Sequence, residues 1–304
     1  MIIGIIGLGT VGRAMCSLFE PYAEIVAYDA ANSDDYPRDE LARCDFAIIC
    51  VDTPMAADGS CDTSNVEVAV AAVPVDKILI RSTIAPGTTD RLLAETGKEI
   101  CFSPEFLGER TYADAGWGGR AEDVPFLVVG GVPATRTWFL DRLVAIFGPT
   151  RTYFQCTAIE AEVIKYMENA FLATKVAFVN EFYEICRAVG AEWHTVREGW
   201  LLDPRIGRSH SAVFADRRGF DGKCLPKDMR AIVAASTSAG YRPHLLAEVL
   251  ESNERYRHPD GRNFLDGPTL AALEFDYRSV GRPALMASDR PAPSPDATGG
   301  PASS

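Results

Sequence analysis

The chain has 304 residues, 47% hydrophobic and 24% charged, with 30 basic and 42 acidic side chains. That is too apolar for a disordered chain and long enough for two domains and a tail. A formal net charge of −12 is unsuited to coating nucleic acid, which takes a basic surface to release counterions. No uninterrupted apolar stretch approaches the ~18 residues of a membrane span.

The first residues carry no basic region and run straight into a glycine loop, so they read as a strand rather than a signal peptide. Residues 2–6 are a short apolar run, 11–19 have helical spacing, and 24–28 and 46–51 are strand-like. A further strand is predicted over 78–81, before the Pro86-Gly87 turn, and residues 100–102 and 126–129 complete the set. Strands alternating with helices predict an α/β fold, with a Rossmann-type doubly wound parallel sheet over residues 1–150.

An all-α domain is expected over 151–258. Thr157 and Glu160 fit a capping box, and no Gly or Pro follows until Gly190, which predicts a long central helix of about 30 residues and ~45 Å. A helix of that length usually spans a domain junction or a dimer interface, so a homodimer is expected. A shorter helix is predicted over 193–199, and another begins at Pro226 and continues toward Arg255. Residues 259–304 read as an extension. From about 283 it holds five prolines with Ser, Ala and Gly, and is expected to be a disordered tail. The eight cysteines include no CxxC pair, which fits a reduced cytoplasmic protein whose cysteines are mostly small core residues. No metal is expected.

The segment Gly7-Leu8-Gly9-Thr10-Val11-Gly12 is GxGxxG between a predicted strand and helix. Its glycines would let the backbone approach a pyrophosphate at the helix N-terminus. The second strand ends at Asp29, whose carboxylate can accept hydrogen bonds from ribose hydroxyls and would repel a 2′-phosphate, favouring NAD over NADP. A plain glycine turn with a surface aspartate is the alternative.

Cys224 lies in Gly219-Phe220-Asp221-Gly222-Lys223-Cys224-Leu225-Pro226-Lys227-Asp228. The loop delivers the thiol to a helix N-terminus beside two lysines, a setting that favours thiolate. A thiolate near a nicotinamide can attack an aldehyde, hold it as a thiohemiacetal, and after hydride loss carry a thioester that water cleaves to an acid. The alternative is a buried structural cysteine. Lys165 and Asn169, four apart, share a helix face and can hold an alcohol or water oxygen, unless Lys165 is simply solvated. Glu105, in Ser103-Pro104-Glu105-Phe106-Leu107, and the hydroxyls of Ser82 and Thr83 follow predicted strands, where ligands bind in parallel sheets.

Taken in order, GLGTVG at 7–12, VDTPMAADGSCD at 51–62, STIAPGTT at 82–89, SPEFLGE at 103–109, AEVIKYMENAFLATKVAFVNE at 161–181, DPRIG at 203–207 and GFDGKCLPKD at 219–228 resemble the UDP-glucose/GDP-mannose 6-dehydrogenase family. The resemblance covers roughly residues 1–255. It implies two successive NAD-dependent oxidations of the C6 hydroxyl of a nucleotide sugar to a uronic acid. It further implies Cys224 as covalent nucleophile, Lys165 and Asn169 as ligands of the reacting oxygen, and Asp228 as the group ordering the water and the lysine. Glu105 would be the acid/base of thioester hydrolysis, with Thr83 holding water. The cofactor would be bound by Gly7, Gly9, Thr10, Val11, Gly12, Asp29, Thr53, Pro54, Ser82 and Thr83. The substrate would meet Glu105, Phe106, Leu107, Lys165, Asn169, Arg205, Gly219 and Lys227. The chain departs from the family pattern at Asp221, usually Gly, at Lys223, usually Ser, and at Leu225, usually Phe. It reads as a shortened form lacking the family's third, UDP-binding domain. Alternatives at this point are a single-hydride dehydrogenase acting on a smaller nucleotide or phosphorylated alcohol, and a non-catalytic NAD-binding scaffold subunit.

Overall fold

A computed structural model describes residues 1–33, 35–107, 121–214 and 217–257. The predicted tail from about 283 lies outside them. The chain divides into two units, residues 1–251 and 252–304. Of the second, only the last turns of the final helix are described.

Short runs of branched apolar residues set the sheet. The strands are β1 (Ile2–Ile6), β2 (Glu24–Tyr28), β3 (Phe46–Ile49), β4 (Lys77–Ile80), β5 (Glu99–Phe102), β6 (Phe126–Gly131) and β7 (Thr152–Cys156). They form one sheet in the order β2-β1-β3-β4-β5-β6-β7. All neighbours are parallel except β5 and β6, so the doubly wound sheet is mixed at one pairing. The helices are α1 (Thr10–Phe19), α2 (Arg38–Leu41), α3 (Ser64–Ala72), α4 (Thr88–Thr96), α5 (Pro133–Phe147), α6 (Ala158–Val189), α7 (Trp193–Trp200), α8 (Leu225–Ser238) and α9 (His244–Arg257).

Because side chains alternate across a strand, continuous apolar strands supply two cores. Ile3, Ile5, Phe46, Ile48 and Leu79 pack with Met15 and Phe19 of α1 and Phe139 and Leu143 of α5. Their neighbours Ala47, Ile49, Ile78, Ile80 and Phe102 pack with Val66 and Val70 of α3, Leu92 of α4 and Ala161 of α6. Chain order reverses about β1, since β2 lies on one side and β3 on the other. Crevices at the carboxyl ends of such strands are where ligands bind.

Helix α6 runs for 32 residues, and its capping box forms as predicted: Glu160 N–H donates to Thr157 Oγ1, and Thr157 N–H to Glu160 Oε2. Gly190 at φ +74° ends it, a backbone conformation that glycine adopts without strain. Its small residues Ala170, Ala173 and Ala177 let Phe220, Leu225 and Met229 pack closely against it.

Two expectations are corrected. The helix from Pro226 toward Arg255 is two helices, α8 and α9. Gly240 at φ +92° closes α8, with Gly240 N–H bonded to the Thr237 carbonyl and Tyr241 N–H to the Ser236 carbonyl. Pro243 then precedes α9. The expected all-α domain over 151–258 is corrected as well: residues 152–156 form β7, paired with β6 in the sheet, a mostly exposed strand with no continuous apolar run to mark it.

Among the described residues, no helix is long and apolar enough to cross a membrane.

Candidate active site

The glycine loop joins β1 to α1. Gly7 has φ +90°, and a Cβ there would meet the Cys50 backbone at 2.7 Å; a Cβ on Gly12 would lie 1.8 Å from the Gly7 carbonyl oxygen. Both glycines are therefore demanded by the close approach of loop, helix and β3. Gly9 differs, because a Cβ on it meets nothing within 4 Å. It is the N-cap of α1, with no side chain capping the helix. An open, uncapped helix start suits a pyrophosphate. Asp29 Oδ2 accepts the Leu8 N–H at 2.5 Å and Oδ1 the Ala31 N–H at 2.8 Å, so the carboxylate at the end of β2 is fixed against the loop holding Gly7, Gly9, Thr10, Val11 and Gly12.

The loops after β3 and β4 are tied together. Thr53 Oγ1 donates to the Thr83 carbonyl at 2.7 Å, and Ser82 Oγ to the Val51 carbonyl at 2.6 Å. Pro54 lies in the same loop, and its carbonyl accepts the Asp62 N–H. On the far side, buried Glu162 of α6 accepts the Gly87 N–H, the Thr89 N–H and the Thr89 hydroxyl at 2.5–2.9 Å. It supplies the cap that the start of α4 otherwise lacks. Burial raises the Glu162 carboxyl above its ordinary range, opposed by these hydrogen bonds.

A second group of residues meets between α6 and α8. Lys165 and Asn169 are both buried, with Lys165 Nζ 3.4 Å from Asn169 Oδ1. Asn169 Nδ2 donates to Asp228 Oδ2 at 2.5 Å. Lys227 Nζ lies 2.6 Å from Asp228 Oδ1, an ion pair by distance whose atoms do not meet hydrogen-bond geometry. Asp228 N–H in turn donates to the carbonyl of Cys224 one helical turn back. Cys224 is the exposed N-cap residue of α8. Three core thiols are held protonated: burial pushes Cys50 and Cys101 up to about 12 and Cys44 to about 11.

Lys165 Nζ also lies 5.2 Å from the centre of the Phe106 ring, which brings in the loop after β5. There Glu105 is buried, and Oε1 accepts the N–H groups of Phe106 and Leu107 at 2.8 and 3.1 Å. Its Oε2 pairs with Arg81, whose other terminal nitrogen donates to Ser103 Oγ at 2.8 Å. Glu168 approaches Lys165 to 4.0 Å, and burial raises its carboxyl above the ordinary range.

Gly219, at φ +73°, donates its N–H to Asn180 Oδ1. The same oxygen accepts from Arg218, which also pairs with Glu184, so α6 anchors the loop that precedes Cys224. Arg205 is not brought to the cluster. It forks onto Asp203 within its own loop, and its side chain is 86% exposed. Lys175 of α6 holds that loop by donating to the carbonyls of Ile206 and Gly207.

Next in this loop, His210 is pushed down to about 4 by burial, with the charge of Lys175 a second cause. Between that value and the ordinary 6.5 the folded chain binds fewer protons here than the unfolded one, so stability rises with pH across this window and is lost on acidification. His210→Asn, which tolerates the residue's φ of +58°, is expected to flatten that slope. Urea unfolding of both proteins at pH 5 and 7 checks this, and equal slopes would contradict it.

Arg81, Glu162, Glu168 and Asn180 were not singled out from the sequence. Arg81 had a signal, a cation ending an otherwise apolar strand run. The others are ordinary polar residues on a helix until the fold shows what they face.

Residues 24–114 match the model for the NAD binding domain of the UDP-glucose/GDP-mannose dehydrogenase family, and 159–255 the model for its central domain. The UDP-glucose 6-dehydrogenase AglM of Haloferax volcanii is 31% identical over 270 residues, covering 79% of this chain and 60% of the relative. The UDP-glucose 6-dehydrogenase TuaD of Bacillus subtilis is 32% identical over 243 residues, covering 74% and 49%. The structure of a UDP-glucose dehydrogenase from the hyperthermophilic archaeon Pyrobaculum islandicum matches with a TM-score of 0.70 at 27% identity, covering 90% of this chain and 69% of that one. The chain thus spans about half to three fifths of the length of these curated relatives.

Proposed function

The chain belongs to the UDP-glucose/GDP-mannose dehydrogenase family, and from that premise we propose that it is an NAD-dependent dehydrogenase oxidising the primary alcohol of a nucleotide sugar to a carboxylate through Cys224. The observation that carries this reading is the continuous set of contacts from Lys165 through Asn169 and Asp228 to the helix turn that begins at Cys224. The residues around Gly9 and Asp29 fit the cofactor: an uncapped helix start for a pyrophosphate, and a fixed carboxylate for ribose hydroxyls. NAD, when bound, would supply a hydride acceptor.

The remaining chemistry belongs to the chain. Lys165 and Asn169 would hold the reacting oxygen, the ammonium stabilising negative charge on it. Cys224 Sγ would bond to the aldehyde carbon, giving a thiohemiacetal, and after the second hydride has left, a thioester. Asp228 would orient Asn169 and neutralise Lys227. Glu105 would serve the hydrolytic water, with Thr83 beside it. Phe106, Leu107, Gly219 and Lys227 would border the sugar. Arg205, exposed in this structure, would reach a diphosphate only by leaving Asp203. The cofactor-binding part would run through β7 to Cys156, and the helical part would begin with α6.

A homodimer is part of the same reading. Helix α6 presents Ile159, Val163, Met167 and Phe171 at four-residue spacing, with Met167 74% and Phe171 63% exposed. An apolar stripe of this kind marks an interaction surface. Light scattering on wild type and on Phe171→Asp tests it; a wild-type monomer would contradict it. A cytoplasmic location is proposed because no disulfide joins any of the eight cysteines.

The enzymatic reading is tested by incubating the chain with NAD and a panel of UDP-, GDP- and CMP-sugars and simple phosphosugars, following NADH and weighing the product. Turnover of a nucleotide sugar to a product 14 Da heavier, the change for CH2OH to COOH by elementary stoichiometry on the order of one oxygen gained and two hydrogens lost, is expected. No turnover with any nucleotide sugar would overturn the reading.

A further inference from the structure

Glu105 is buried and its carboxylate is almost fully engaged. An ionised carboxylate offers about four lone-pair positions. Oε1 accepts two main-chain N–H groups, from Phe106 and Leu107, and Oε2 accepts from Arg81. Among the described residues, one acceptor position, on Oε2, is left. Arg81 is equally buried and is itself oriented by Ser103 Oγ. Its Nε has no partner among the described residues, so the guanidinium is committed to this loop at the expense of one unsatisfied donor. Among the described residues, Lys165 of α6 lies over the Phe106 ring of this loop, with Glu168 4.0 Å from its ammonium. A buried ion pair is poor evidence for stability, because an apolar pair of similar volume often serves as well. Its presence beside the proposed chemistry points to positioning.

We propose that Arg81 is the positioning residue of thioester hydrolysis, fixing Glu105 so that a single lone pair on Oε2 is presented to the attacking water. This rests on the dehydrogenase reading above. In the step it serves, Glu105 takes one proton of water as the water oxygen bonds to the thioester carbon. The carbon–sulfur bond breaks with its electron pair on Cys224 Sγ, the product leaves as the carboxylic acid, and acid and Glu105 release their protons to solvent. Nothing is oxidised or reduced in this step; both oxidations precede it.

The test compares wild type, Arg81→Met, Arg81→Lys and Glu105→Gln with NAD and the nucleotide sugar found to turn over. If Arg81 positions Glu105, Arg81→Met and Glu105→Gln will both release a burst of two NADH per active site and then slow at least tenfold. Intact-mass measurement will show the acyl group accumulating on Cys224. KM for the sugar will move less than kcat, and Arg81→Lys will recover part of the rate. Arg81→Met leaves a buried carboxylate without its cation; if it fails to fold, Arg81→Lys, which keeps the charge but loses the fork that reaches both Glu105 and Ser103, carries the kinetic arm. A crystal structure of the folded variant forms the second arm, in which Glu105 is expected to leave its present rotamer. A folded Arg81→Met enzyme with no burst, no acyl-enzyme and Glu105 unmoved would overturn the proposal. Absence of NADH formation by wild type would instead defeat the dehydrogenase reading, and the crystallographic arm would still decide whether Arg81 holds Glu105.

Discussion

Replacing Cys224 by alanine is expected to abolish carboxylate formation, with a fall of at least about a thousandfold, the scale seen when a covalent nucleophile is removed. The thiol sits on the N-cap residue of α8 and is exposed, so truncating it leaves no cavity. Asp228, Asn169 and Lys165 are bound to one another through their own side chains and would remain in place. The loss should therefore be one of chemistry alone, with unchanged far-UV circular dichroism, melting temperature and NAD affinity. Product mass spectrometry on wild type and variant checks this. A Cys224→Ala protein that still makes carboxylate at the wild-type rate would remove the covalent mechanism.

The second large effect lies at the glycine loop, where two neighbouring glycines should respond oppositely. Gly12→Ala puts a Cβ 1.8 Å from the Gly7 carbonyl oxygen, a backbone atom that cannot swing aside as a flexible side chain would. Helix α1 must then move off β1, at the cost of its packing by Met15 and Phe19. Overpacking typically costs about 1–3 kcal/mol and occasionally more, and for a chain of this size each kcal/mol lowers the melting temperature by about 2 °C. Gly9→Ala meets no atom within 4 Å, so its melting temperature should be unchanged. Its methyl would instead occupy the approach to the helix N-terminus and weaken NAD. Thermal unfolding of both variants with and without NAD separates the two effects. Equal melting temperatures for Gly12→Ala and wild type would contradict the packing of the loop.

Much of this was legible in the sequence, where local chemistry dictates local structure. The glycine loop showed because its turn and helix contact admit no side chain at two fixed positions. Helix α6 showed at both ends, by a reciprocal cap at Thr157 and Glu160 and a glycine at the far terminus. Cys224 stood out by its loop-to-helix position beside two lysines, while spacing put Lys165 and Asn169 on one helix face and only the family resemblance gave them a role. The contacts that complete the cluster were not, because they join residues far apart in the chain. Arg81 meets Glu105 only because β4 and β5 lie side by side. Glu162 caps a helix that begins at Thr88, and Asn180 of α6 holds Gly219, 39 residues on. The misreading of α8 and α9 has a different source. Gly240 and Pro243 were visible, but the apolar pattern continued past them, and the left-handed closure at Gly240 outweighed that pattern.

The most direct test of the central claim is the number of NADH formed per carboxylate. A primary alcohol carried through thiohemiacetal and thioester yields two, and the account predicts that ratio, with aldehyde absent from the released product. A ratio of one, with a carbonyl compound as final product, would contradict it.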